Sequence, residues 1–186
     1  MRARHRSGGC VCFQHLYFEI GLVFRVAASV CCGALLSVSV QAADPDPEAA
    51  ARAMIAKYVA TWDVGAFLAE PAVRRELHAL LGADLERLER NLAVNGGIEY
   101  VGGALMLMGN APHRGTEHEA VVCVQPWGGT PTVHAGTYSE GEIALYTREQ
   151  RYEYLTTCIK DWVTLVTSRH VDRLTQPANV RLISPR

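Results

Sequence analysis

Apolar positions along the chain follow two different periods, and the change between them divides it. From Pro47 they recur at spacings of three and four, with Met54, Ile55, Tyr58, Val59 and Trp62 on one stripe. That spacing predicts a helix with one buried side. Asp46 suits its N-cap and Pro47 its first turn, and Asp63 or Gly65 ends it. A second helix is predicted from Pro71, with Val73, Leu77, Leu80 and Leu81 inward and Gly82 as its stop. Asp84 caps a third, with Leu85, Leu88 and Leu92 inward and a Glu86–Arg90 pair one turn apart. His78 falls on the polar side of its helix and reads as a solvated histidine.

After Leu92 the pattern shortens. Asn95-Gly96-Gly97 reads as a turn, residues 98–101 as a strand, Gly102-Gly103 as a turn, and residues 104–108 as the next strand. In that strand Leu105 and Leu107 face one side while Met106 and Met108 face the other. Apolar residues on both faces mark a central strand of a sheet covered on both sides. Residues 120–124 repeat the pattern. Gly128-Gly129-Thr130-Pro131 turns the chain into residues 132–138, and Glu140-Gly141 closes a hairpin into residues 142–147. Strands joined by such short turns pair antiparallel, and about five are expected. Ile159, Trp162, Val163 and Val166 restore the helical period over residues 156–167. Pro177 ends regular structure before a short apolar stretch, residues 180–183, suited to an edge strand. Helices, a meander of strands, then a helix make an α+β fold: an antiparallel sheet with N-terminal helices and a C-terminal helix packed on it.

The first forty or so residues change the picture of compartment, not of fold. Arg2, Arg4, Arg6 and Arg25 precede an apolar run over residues 26–40, and Val40-Gln41-Ala42 offers small residues at the positions a signal peptidase requires. Residues 1–42 therefore read as a secretory signal peptide and residues 43–186 as a single domain. The run is short for a membrane span, which takes about 20 residues. An uncleaved anchor is the alternative. Cleavage removes Cys10, Cys12, Cys31 and Cys32 and leaves Cys123 and Cys158 of the six cysteines. Two cysteines in an oxidising compartment point to one disulfide, joining the sheet to the last helix. Eighteen basic against nineteen acidic residues leave no basic excess for nucleic acid.

Candidate chemistry concentrates between residues 109 and 119, Gly-Asn-Ala-Pro-His-Arg-Gly-Thr-Glu-His-Glu. This segment links two apolar strands, so it is a surface loop on a stiff sheet, where function tends to sit. His113, Glu117, His118 and Glu119 could suggest a metal site, extended to His134. The spacing misses the helical zinc motifs, and Pro112 and Gly115 exclude a helix. Near the following strand His118 points away from Glu117 and Glu119, because neighbours alternate faces. No serine sits in a nucleophile elbow, no glycine-rich loop precedes a helix to hold phosphate, and Cys123 lies in an apolar strand. No cofactor is expected and no enzyme activity is assigned. What remains is a binding loop whose protruding group, His113, follows a stiffening proline. A protonated imidazole suits paired carboxylates such as a glycosidase centre.

The loop Asn110-Ala111-Pro112-His113-Arg114-Gly115 and the strand before it resemble the inhibitor of vertebrate lysozyme (Ivy) family of secreted bacterial proteins. That family carries a Cys-Lys-Pro-His-Asp-Cys loop between two strands. The Pro-His pair matches, and the helical segment at residues 69–74 and the later strands fall in the family's order. The resemblance implies a periplasmic inhibitor of a lysozyme or another peptidoglycan glycosidase, with His113 entering the acidic cleft. Asn110 and Gly115 stand where the family has its loop cysteines, and Arg114 replaces an acidic residue. A side-chain cap by Asn110, with Thr116 and Glu117 starting the next strand, is the expected substitute for the lost clamp. The competing readings are a metal-binding protein or hydrolase using His113, Glu117, His118 and His134, and an envelope protein, homodimeric or not, whose loop has no ligand.

Overall fold

The computed structural model describes residues 46–169 and 180–185; the expected signal peptide and Pro177 lie outside them. Helices α1 (Pro47–Tyr58), α2 (Val64–Ala69), α3 (Pro71–Leu81) and α4 (Leu85–Asn91) come first. Strands β1 (Val94–Val101), β2 (Ala104–Asn110), β3 (His118–Gln125), β4 (Thr132–Ser139) and β5 (Glu142–Tyr146) follow. Helix α5 (Thr157–Arg169) and strand β6 (Val180–Ile183) complete the order. The strands lie in the sheet in sequence order. β1 to β5 run antiparallel, and β6 pairs parallel to β5. The fold is α+β, and β6 adds to the five strands of the meander the edge strand expected at residues 180–183.

Strict alternation along the central strands builds two cores. Leu105, Leu107, Ala120, Val122, Val124 and Ala135 point to the side covered by Phe67, Val73, Leu77, Leu80, Leu88 and their neighbours from the N-terminal helices. Met106, Val121, Cys123, Tyr138 and Leu145 point to the opposite side, covered by Cys158, Ile159, Trp162, Val163 and Val166 of α5. β2 and β3 are therefore sandwiched, which leaves their connection as a projecting loop on a scaffold held from both faces. Cys123 and Cys158 form a disulfide, Cα–Cα 6.2 Å, tying β3 to α5. No helix among the described residues is long and apolar enough to cross a membrane.

Several local expectations are corrected. The first helix stops at Tyr58, and Trp62 is 72% exposed rather than part of a buried stripe. Ala60 takes φ +58°, and the chain leaves the helix to pair with β1: the Ala60 N–H donates to the Ile98 carbonyl and the Ile98 N–H to the Thr61 carbonyl. Asp63 does not end the first helix. It caps α2, its carboxylate accepting from the Ala66 N–H at 3.1 Å. Asp84 is no side-chain cap either. It lies in a 3-10 turn, and its carboxylate accepts from the Tyr146 hydroxyl at 2.9 Å and pairs with Arg87 at 3.0 Å. Asn95-Gly96-Gly97 is not a free turn but an irregularity inside β1, where the register shifts between Asn95 and Ile98. At Ala60 and Asp84 a partner distant in sequence outweighs the local signal, whereas Asp63 is taken by the helix that follows it.

The N-terminal helices are pinned to one another by polar contacts. Glu70, at the α2–α3 junction, accepts from Tyr58 at 2.6 Å and from Lys57 at 2.9 Å. Those two donors, Lys57 foremost, hold its carboxyl below the ordinary range. His78 is exposed, as its position on α3 predicts.

Candidate functional site

β2 and β3 stay paired to their ends, where Asn110 faces Glu119. One more rung closes beyond them, the Ala111 N–H donating to the His118 carbonyl at 3.0 Å. The loop therefore leaves a ladder that holds both of its stems. Its tip is a four-residue turn: the Arg114 N–H donates back to the Ala111 carbonyl at 3.1 Å. Pro112 occupies the second position and His113 the third, with φ +63°. Proline followed by a residue of positive φ is the type II pattern. The third position favours glycine, and a non-glycine residue in so sparse a region costs about 1–3 kcal/mol. Histidine is among the residues that visit it more readily. Pro112 and His113 are both exposed, so the strained residue is the one offered to solvent.

A second turn follows at once. The Arg114 carbonyl accepts from the N–H groups of Glu117 (3.0 Å) and His118 (3.1 Å). Thr116 and Glu117 thus belong to the turn, and β3 starts only at His118, against the expectation that they begin the strand.

Side chains then fasten the loop to its base. Arg114 Nη1 lies 2.9 Å from His118 Nε2, and His118 Nδ1 lies 2.8 Å from Ser139 Oγ. A guanidinium has only donors, so Nε2 accepts, and the proton of the neutral ring sits on Nδ1 and is donated to Ser139. Ser139 ends β4, so the bridge Arg114–His118–Ser139 ties the loop to a third strand. Asn110 Nδ2 donates to the Ala111 carbonyl at 3.0 Å, as a side-chain cap. A Cβ on Gly115 would lie 3.3 Å from that same nitrogen. Positions 110 and 115 are therefore close neighbours across the loop.

The six predicted loop residues thus sit together at one end of the sheet. The His/Glu set proposed for a metal does not assemble. His134 is buried on the α5 face, where Nδ1 pairs with Thr147 Oγ1 at 2.9 Å, and burial lowers its pKa. It pairs across the ladder with Cys123, while His118 pairs with Ser139 at the other end of β4. Glu119 turns to the α5 side and meets Arg169 at 3.2 Å. Among the described residues no group of three or more His, Cys, Asp or Glu side chains is placed to hold a metal. Sequence inspection missed His118 and Ser139 as supports of the loop. Nothing in the linear pattern links them, since Ser139 follows His118 by 21 positions.

The molecule is a sandwiched antiparallel sheet that presents one stiff, exposed loop from between two of its central strands: an α+β loop-presenting domain. Residues 72–167, more than half of the chain, match the family model described as Inhibitor of vertebrate lysozyme (Ivy). The chain belongs to that family, one of lysozyme inhibitors. No curated protein and no solved structure matches it.

Proposed function

We propose that this protein is a secreted, periplasmic inhibitor of a c-type lysozyme or a related peptidoglycan glycosidase, and that it acts by inserting His113 into the acidic cleft. The observation that carries this is the exposed His113 at φ +63°, on a loop fixed to three strands. Strain kept at a solvent-facing tip is a signature of a functional residue. A loop ordered before association loses little entropy on binding, so more of the contact energy appears as affinity. The imidazole presents a donor to a carboxylate in either protonation state, and its charged form pairs with a second. Pro112 sets the approach, and Asn110, Ala111, Arg114 and Gly115 shape the turn. Export follows from residues 1–42 acting as a cleaved signal. The protein contributes a plug, and the chemistry blocked is the target's own.

The test is inhibition of c-type lysozyme by the purified protein and by His113→Ala. Loss of a central anchor weakens inhibition by about thirtyfold or more. Equal inhibition by His113→Ala refutes the role given to the imidazole.

A further inference from the structure

Beside the loop, on the side of the N-terminal helices, lies a groove of about 460 Å³ between α4 and the loop. Its charged lining is Arg87 and Arg90 from α4 and Arg114 from the loop, with the His118 ring beside them at the start of β3. Ala111 and Pro112 form an apolar stretch of its wall, and no carboxylate among the described residues lines it. The acids that pair with these arginines stand outside the groove. Glu86 meets Arg90 at 2.7 Å, Asp84 meets Arg87 at 3.0 Å, and Glu117 approaches Arg114 only to 3.8 Å. Arg87 also donates to the Tyr146 hydroxyl at 2.7 Å, yet its Nε is buried without an acceptor. A guanidinium offers five N–H donors and no acceptor. The groove thus gathers three guanidiniums with no carboxylate of its own among the described residues, Asn91 and Ser139 being its neutral polar lining.

Resting on the loop insertion proposed above, we infer that this groove is a second recognition surface, and that it takes a carboxylate-bearing peptide segment of the protein whose cleft the loop enters. Three of its lining residues, Ala111, Pro112 and Arg114, belong to the loop itself. A body that engages His113 therefore lies over the groove mouth. Acidic side chains on the rim of the target's cleft would meet the guanidiniums there, where planar, bidentate pairing gives orientation as well as attraction. The apolar wall excludes water beside the pair. The groove would select among glycosidases: those with an acidic rim are held, and those with a basic rim are repelled by the same arginines.

The probe is tetraglutamate, with tetraglutamine as the neutral control, followed through arginine side-chain and loop backbone resonances at low salt. Arg90→Glu reverses the charge of an exposed groove residue, and Arg52→Ala removes an exposed arginine on α1 that pairs with Glu48. Saturable binding of tetraglutamate that perturbs Arg90, Arg114 and His118 is expected, weakened about tenfold or more by Arg90→Glu and unchanged by Arg52→Ala. The same variant should weaken inhibition of an acidic-rimmed glycosidase while His113→Ala leaves tetraglutamate binding intact. Absence of saturable binding, equal loss with Arg52→Ala, or full inhibition by Arg90→Glu overturns the inference, and none of these touches the role of His113. Conversely, tetraglutamate binding without inhibition of any glycosidase rejects the loop insertion, and with it the assignment of the groove to that partner.

Discussion

At the scale of the residue, the site is decided by one backbone angle. His113 holds φ +63° because Pro112 presets the turn and Arg114 closes it onto Ala111. Replacing His113 by glycine removes the strain as well as the imidazole. His113→Gly is therefore expected to fold at least as stably as the natural chain, since the relief of strain offsets the added freedom of the unfolded backbone. It should nevertheless lose inhibition. Thermal unfolding and an inhibition assay on one preparation check both halves, and a lowered melting temperature would contradict the turn assignment. The Pro-His pair was legible in the linear sequence. Its strain was not, because φ follows from a hydrogen bond that closes only when both stems are in place.

At the scale of the element, the sheet fixes the loop and the disulfide fixes the sheet to α5. Cys123 is on β3 and Cys158 is in the first turn of α5, 35 positions later. Linking them restricts the unfolded chain, so double replacement by alanine should cost about 2–4 kcal/mol in denaturant unfolding. Among the described residues the loop's hydrogen bonds run to β2, β3 and β4, and α5 reaches its stem only where Arg169 meets Glu119. Inhibition by the folded variant should therefore persist, and loss of inhibition without loss of stability would show the bridge acting on the loop instead. The strands and α3 and α5 could be read from apolar spacing, since each has several turns or rungs of consistent burial. α2 could not. It has six residues, includes Gly65, and is defined by Asp63 as cap and Phe67 as its one buried side chain. The segment at residues 60–61 was likewise hidden, because it is held by the edge of β1 and not by its own sequence.

At the scale of the whole molecule, the two cores set how stability depends on pH. His134 is buried against Thr147 on the α5 side, and desolvation lowers its pKa below the ordinary 6.5, with the Glu149 charge opposing. The folded state keeps this ring neutral, while the unfolded chain takes up a proton below about pH 6.5. The unfolded state thus binds more protons in acid. The contribution of His134 is fully present above that value and is lost as pH falls through the depressed folded pKa. His134→Gln should narrow the difference in denaturant stability between neutral and mildly acidic pH, and an unchanged difference would place the acid sensitivity elsewhere. The family match over residues 72–167 covers most of α3 through most of α5, the part that holds the loop and most of both cores, with Tyr58 and Phe67 outside it.

By itself the sequence determined the α+β order, the two-sided burial of the central strands, the cysteine pair and the position of the Pro-His loop. These follow from spacing, composition and turn chemistry, which act between near neighbours. Only the tertiary structure decided that the helices take opposite faces, that the unclamped loop is bound through His118 to Ser139, and that three arginines from α4 and the loop line one groove. Those facts depend on which residues far apart in the chain share a rung or a wall, and no local preference carries that information.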